Sequence, residues 1–252
     1  MIIKKYYSQN FLKNNIISKK IIELLYITKK KYDCILEIGP GLGILSKEII
    51  KISKNFLLVE IDKFLVNYIK KKFYKYKKNI INKNILNLKL KNIKKYKKFY
   101  IIGNFPYNIS SKLLLWIIKN RNNIVECIGT FQQEFINSII LKKTRLSFIF
   151  NIYFKIKKKF KIDKNNFYPI PKVDSLVVKI INKKKEIKKI NKKKFFFLIK
   201  ETFKYKRKIL KNSLKYYIIQ KNIKYKNYKI FFKRPEQLSI KDFKNLYKII
   251  YK

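Results

Sequence analysis

The chain has 252 residues, 64 of them Lys or Arg against 14 Asp or Glu, giving a formal charge of +50, and it contains no histidine. Without histidine there is no Ser–His or Cys–His nucleophile and no His-ligated metal, and two cysteines, Cys34 and Cys127, are too few for a disulfide framework or a four-cysteine zinc site, so no metal is expected. At 47% hydrophobic the chain is too apolar for a disordered polycation, yet it has no apolar run near 18 residues and no N-terminal secretory pattern; a soluble, cytoplasmic protein with one large and one small domain and no membrane span is expected.

In chain order, a polar start leads into a helix whose apolar face is Ile17, Ile21, Ile22, Leu24 and Leu25. Cys34 to Ile38 reads as a buried strand ending in the turn Gly39-Pro40-Gly41-Leu42-Gly43. Ile44 to Ile52 has helical spacing, Phe56 to Ile61 is a second strand and Asn79 to Asn82 a third. Phe99 to Ile102 is a fourth strand running into Gly103-Asn104-Phe105-Pro106-Tyr107, and Ser110 or Ser111 is placed to cap a helix over Lys112 to Lys119. Val125 to Phe131 reads as a strand, Glu134 to Leu141 as a helix, and Leu146 to Ile156 and Val173 to Ile181 as late strands. This alternation predicts an α/β fold with a mostly parallel sheet covered on both faces. The pattern changes near residue 183: Asn182 to Lys194, nearly all Lys, Ile and Asn, reads as a linker. Phe195 to Phe203, Lys208 to Ile219 and Ser239 to Ile250 then have helical spacing, predicting a small all-α C-terminal domain.

The charge points to a polyanionic partner, whether RNA, DNA or an acidic membrane surface. Part of it is compositional, because the chain is dominated by Lys, Ile, Asn, Tyr and Phe, has no Ala, and its lysine runs read as solvated faces. Departures from that bias therefore carry information. Three of the five glycines fall within Gly39 to Gly43, and Glu37, Glu60 and Asp62 lie beside them in a chain poor in acids.

In Glu37-Ile38-Gly39-Pro40-Gly41-Leu42-Gly43 small residues let the backbone approach a ligand closely at the end of the first strand. The spacing differs from the dinucleotide fingerprint, and an acid before the first glycine suits a positive centre better than a diphosphate. Glu60, closing the second strand, is placed to accept from both hydroxyls of a ribose. A nucleoside without phosphates and with a cationic end, S-adenosylmethionine, satisfies all three features. In Asn104-Phe105-Pro106-Tyr107, the Asn104 oxygen and a backbone carbonyl held by Pro106 can accept from an adenine amine and free its delocalised lone pair, and Tyr107 offers a stacking face for an extruded base. The bland readings are a plain strand–turn–helix corner and a proline turn over a buried Tyr.

Together these segments, with Ser8-Gln9-Asn10-Phe11-Leu12, Val59-Glu60-Ile61-Asp62, Asn108-Ile109-Ser110, Gln132-Gln133-Glu134, Arg145-Leu146-Ser147, Phe167-Tyr168-Pro169-Ile170-Pro171-Lys172-Val173-Asp174-Ser175, Phe203 to Asn212 and Arg234 to Ser239, resemble the small-subunit ribosomal RNA adenine N6,N6-dimethyltransferases over nearly the whole chain. The resemblance implies a Rossmann-like class I methyltransferase sheet, mostly parallel with a late antiparallel strand, over residues 1–182, and a helical domain over 183–252 that contacts RNA and the ribosomal particle. It implies successive transfer of two methyl groups from S-adenosyl-L-methionine to N6 of each of two adjacent adenosines in a hairpin loop near the 3′ end of the small-subunit RNA, by a monomer acting on the pre-ribosomal small subunit. In this resemblance the segment Gln9-Asn10-Phe11-Leu12 helps close the cofactor pocket, Gly39 and Gly41 line the methionine portion, Glu60 holds the ribose, Asn84 stands at the position that accepts from the adenine amine, and Glu37, Ile61 and Asn104 also bind the cofactor. Asn104, Pro106 and Tyr107 meet the target amine, Phe167 stacks on the target base from its other side, and Arg145, Arg207 and Lys208 contact RNA. Asn84 stands where the family usually has Asp, Phe105 where Leu is common, and Arg207-Lys208 where it has paired Arg. Two other readings are an adenine methyltransferase of large-subunit RNA and a non-catalytic assembly or transcription factor on the same fold.

Overall fold

Short apolar runs broken by glycine, asparagine or an acid become most of the strands of one seven-stranded sheet. In the computed structural model, which describes residues 10–26, 31–183, 190–205 and 207–251, the chain divides into two compact units: Met1–Ser138 with Phe154–Lys183, and Ile139–Tyr153 with Lys184–Lys252. The first unit begins with β1 (Phe11–Leu12) and α1 (Asn15–Tyr26), followed by β2 (Cys34–Ile38), α2 (Ile44–Ile52), β3 (Phe56–Glu60), α3 (Lys63–Lys72) and β4 (Ile80–Asn82). It continues with β5 (Phe99–Asn104), α4 (Ser110–Lys119), β6 (Ile124–Gln132), α5 (Gln133–Leu141), whose last turn belongs to the second unit, then β7 (Phe154–Ile162), β8 (Phe167–Tyr168) and β9 (Ser175–Asn182).

The strand order is β4-β3-β2-β5-β6-β9-β7. The first five are mutually parallel, while β9 runs antiparallel to both β6 and β7, giving the expected mostly parallel sheet with a late reversal. Every residue of β2 is buried, the signature of a strand covered on both faces. Strand β7, Phe-Lys-Ile-Lys-Lys-Lys-Phe-Lys-Ile, lies on the sheet's edge and carries its lysines exposed, which opposes pairing with a further strand. β1 and β8 form a separate two-stranded ribbon, with Phe11 opposite Tyr168 and Leu12 opposite Phe167.

Three sequence expectations need correction. Residues 146–156 are not one strand: Arg145–Tyr153 is helix (α6), and the strand begins at Phe154. The local reason is a reciprocal cap, in which the Thr144 amide donates to Ser147 Oγ (2.8 Å) and the Ser147 amide donates to Thr144 Oγ1 (3.2 Å), starting a helix that period-two apolarity did not signal. Neither Ser110 nor Ser111 caps α4; the turn Tyr107–Ile109 runs directly into the helix, Ile109 occupies the cap position, and the Ser110 hydroxyl is buried with no hydrogen-bond partner among the described residues. The stretch read as a linker over 182–194 begins inside β9 and ends inside α7 (Lys192–Lys204), where Asn191 caps the helix by accepting from the Lys194 amide; residues 184–189 lie outside the described residues.

In the second unit α6 and α7 are joined by α8 (Leu210–Ser213), α9 (Lys215–Gln220) and α10 (Ile240–Tyr251). Its core includes a phenylalanine trio: Phe148 of α6 lies 4.5 Å from Phe243 of α10 and 6.0 Å from Phe203 of α7, and Phe203 stacks on Phe243. α10 starts where Ser239 and Asp242 bond reciprocally, Asp242 Oδ2 accepting from the Ser239 amide and hydroxyl while Ser239 Oγ accepts from the Asp242 amide. None of the described helices is long and apolar enough to cross a membrane.

Candidate active site

Because β2, β3 and β5 are parallel neighbours, their carboxyl ends lie together, where open α/β sheets bind ligands. The loops leaving them line one cleft of about 1070 Å³, open to solvent. Gly39 to Leu42 follow β2, Glu60 and Ile61 end β3, and Asn104 to Ile109 follow β5; Asn10 to Leu12 and Lys83 to Ile85 complete the wall.

The glycine turn takes left-handed backbone at Gly39, Gly41 and Gly43. At Gly41 the restriction is double: φ is +58°, and an added Cβ would stand 2.9 Å from the Phe11 ring. Glu60 ties this turn to the end of β3. Its Oε1 accepts from the amides of Ile61 (2.8 Å) and Asp62 (3.0 Å), and its Oε2 accepts from the Gly41 amide at 3.3 Å. A carboxylate can accept about four hydrogen bonds, so Glu60 keeps acceptor capacity in the cleft. Burial raises its pKa, and the three amides oppose that rise.

Glu37 is 1% exposed and accepts from Ser46 Oγ at 2.6 Å. Burial pushes its carboxyl up to about 8, the Ser46 hydroxyl opposes the rise, and the charge of Glu60 adds to it. At neutral pH Glu37 is therefore mostly protonated in this structure. Two acids set in apolar walls, with a glycine backbone that leaves room against Phe11, fit a nucleoside ending in a cation. Ile61, 42% exposed, offers an apolar surface, and Asn84 also lines the cleft, its Oδ1 accepting from the Leu86 amide at 3.0 Å.

Asn104 ends β5 with its carboxamide held at both ends. Its Nδ2 donates to the Asn10 carbonyl at 2.7 Å, and its Oδ1 accepts from the hydroxyl of Thr130, its register partner on β6. The Asn10 carbonyl can only accept, which fixes the amide orientation. The Tyr107 hydroxyl bonds to that of Ser175, the first residue of β9. Burial raises the Tyr107 pKa, so the phenol is neutral at physiological pH. Between these residues, Phe105 packs over two glycines: a Cβ on Gly129 would lie 2.1 Å from its ring, and one on Gly103 2.7 Å. The glycines outside the cofactor turn thus make room for the larger residue at the position where Leu is common in the resembled family.

Residues 2–252 match the family model described as ribosomal RNA adenine dimethylase. The chain belongs to that family. Among its relatives, a ribosomal RNA small subunit methyltransferase A of Flavobacterium johnsoniae is 38% identical over 245 residues, covering 95% of this chain and 92% of that one. Another of the same name, from Wigglesworthia glossinidia brevipalpis, is 40% identical over 253 residues and 94% of both chains. A dimethyladenosine transferase crystal structure from Plasmodium falciparum superposes with a TM-score of 0.75 at 25% identity, covering 94% of this chain and 95% of that one. The 23S rRNA methyltransferase ErmE shares the fold, with a TM-score of 0.64 at 20% identity over 96% of this chain and all of that one.

In this dimethylase the structure brings together Asn10, Leu12, Glu37, Gly39, Gly41, Glu60, Ile61, Asn84, Asn104, Pro106 and Tyr107 around the cleft. Gln9 lies outside the described residues. Phe167 requires correction: it is fully buried in the core with its ribbon partner Leu12, not exposed to stack on a base. Alternation along the strand turns Phe167 inward, and the following Tyr168 is 57% exposed. Arg145, at the start of α6, and Arg207 and Lys208, after α7, are exposed members of the second unit, and the Lys208 ammonium stands 5.4 Å from the Tyr205 ring centre. Phe11 belongs to the segment expected to close the pocket, but sequence reading did not place its ring against Gly41, and it missed Thr130 and Ser175 behind the turn. A hydroxyl residue among the buried residues of the strand Ile124–Gln132 was the available signal for Thr130.

Proposed function

We propose that this chain dimethylates N6 of two adjacent adenosines in a hairpin loop near the 3′ end of small-subunit ribosomal RNA, acting in the cytoplasm as a monomer on a pre-ribosomal small subunit. The observation that carries the reading is the shared cleft, which places the Asn104–Tyr107 turn beside the glycine turn and Glu60. The names of the relatives support the choice of RNA.

S-adenosylmethionine, when bound, supplies a methyl group on a sulfonium. Glu60 accepts from its ribose hydroxyls, Gly39 and Gly41 pass close to its methionine portion, Glu37 faces its cationic end, and Ile61 and Asn84 serve the adenine. Asn84 acts with its remaining acceptor capacity, because its oxygen also caps the turn after it. Asn10 and Leu12 close the pocket. At the target, Asn104 Oδ1 and a backbone carbonyl of the turn, which Pro106 stiffens, accept the two N–H bonds of the adenine amine and favour a pyramidal nitrogen with an available lone pair. Tyr107 stacks on the extruded base. Its neutral, Ser175-bound phenol is no base, and none is needed, because the nitrogen becomes acidic on methylation and loses its proton readily. Phe167 acts from the core by seating Leu12, while the unit containing Arg145, Arg207 and Lys208 meets the RNA backbone through its charge.

Primer extension and mass spectrometry of both ribosomal RNAs, with and without this protein, test the reading. Dimethyladenosine confined to the 3′ end of the small-subunit RNA is expected, and modification of the large-subunit RNA alone would reassign the substrate. Glu60→Ala is expected to weaken cofactor binding by about 1–3 kcal/mol, as bonds to a charged acceptor are lost; calorimetry with unchanged affinity would remove Glu60 from the ribose role. The cationic cofactor favours ionised Glu37, so its binding expels a proton below the Glu37 pKa of about 8. Affinity should therefore rise with pH from the ordinary carboxylate range up to about 8 and then level off, with Glu60 and Asp62 as the nearby acids. The dependence should be weaker for the demethylated product, which lacks the sulfonium, and should vanish in Glu37→Gln. Titrations in two buffers of different ionisation enthalpy count the proton.

A further inference from the structure

We infer that Thr130 is a positioning residue for the methyl-transfer reaction, acting through Asn104; the inference rests on the proposed role of Asn104. Thr130 lies on β6, where Ile124 to Phe131 are all buried, and is itself fully buried. A hydroxyl in such a strand costs free energy unless it is bonded, and valine would fill nearly the same volume without that cost. Among the described residues, the hydroxyl's one bond is to Asn104 Oδ1. Asn104 and Thr130 are register partners on adjacent parallel strands, so their side chains emerge side by side from the sheet.

The two holds on the carboxamide do different things. The Asn10 carbonyl, an obligate acceptor, selects which end of the amide is nitrogen. One bond still leaves the amide plane free to turn about its Cβ–Cγ axis, a soft torsion. The Thr130 hydroxyl removes that freedom by gripping the opposite end. A carbonyl oxygen has two lone pairs, so Oδ1 keeps one for the target amine. Thr130 thus holds the acceptor in one direction before the base arrives, and ordering that would otherwise be needed at the transition state is already in place.

The test compares Thr130→Val, which keeps the volume and loses the bond, with Thr130→Ser, which keeps the bond. Both are made in the full chain and assayed on small-subunit particles. Thr130→Val is expected to lower kcat about 10- to 100-fold while KM for cofactor and particle stays within about twofold, and Thr130→Ser is expected to recover most of kcat. A second readout needs no turnover. In the wild type the Asn104 side-chain amide should give one set of nitrogen-15-resolved proton resonances with slow amide rotation and exchange, and in Thr130→Val it should broaden or exchange faster. Wild-type kcat in Thr130→Val, or equal losses in the Val and Ser variants, would overturn the assignment, as would an unchanged Asn104 amide. If the wild type modifies no adenosine, the proposed reaction fails, and the amide spectra still decide whether Thr130 holds Asn104.

Discussion

Asn104→Ala should bind S-adenosylmethionine as the wild type does and yet transfer methyl groups at least about 10²–10³-fold more slowly, the scale seen when one preorganised polar group at a reacting centre is removed. The carboxamide ends β5, while the acids assigned to the cofactor lie on β2 and β3, so truncation leaves the glycine turn, Glu37 and Glu60 in place. Without Oδ1 the amine's lone pair remains delocalised into the adenine ring. Asn104→Asp gives a sharper contrast: it keeps an acceptor toward Thr130 but turns a carboxylate oxygen toward the Asn10 carbonyl, where Nδ2 donates now. Two acceptors facing each other repel, so Asp should fail despite its shape. Single-turnover transfer and calorimetric cofactor affinity, measured on the same preparations, check both variants. Turnover retained in Asn104→Ala would reject this account of amine activation.

The largest stability effect is expected at a buried ion pair away from the cleft. Lys179 of β9 lies 2.9 Å from Glu126 of β6, with both side chains under 10% exposed, and the hydroxyl of Tyr100 on β5 bonds the same carboxylate at 3.3 Å. Glu126→Ala leaves an ammonium in a sheet too apolar to solvate it, and a loss of about 3–5 kcal/mol is expected by urea denaturation. Replacing both partners with apolar residues, Glu126→Leu with Lys179→Met, should restore much of that loss, because desolvation of the orphaned charge is the main cost of the single change. A double variant as unstable as the single one would place the cost in packing instead.

Much of the first unit is legible in sequence, because its signals are local. Cys34–Ile38, Phe56–Glu60 and Phe99–Asn104 are apolar runs ended by glycine, an acid or asparagine, and those endings place residues at the strands' carboxyl edge. Residues 145–153 were misread because β-branched and aromatic residues fit either a buried strand or a buried helix; the Thr144–Ser147 cap chose, along with packing of Phe148 against Phe203 and Phe243. Phe167 was misplaced because a motif gives a residue's position along the chain but not its face, and the pairing of Leu12 with Phe167 turned the ring inward.

By itself, then, the sequence determined the kind of chemistry: a glycine turn between acids, an asparagine–proline–tyrosine turn, and no histidine or other ready base. Only the tertiary structure decided how those groups are held. Asn104 is set by a carbonyl 94 residues earlier and a hydroxyl 26 residues later, Tyr107 by a serine 68 residues away, and Gly41 by the ring of Phe11. Hydrogen bonds and ring contacts act over a few ångströms of space regardless of separation along the chain, so residue types can be read from a string while their orientation waits for the strands to pair.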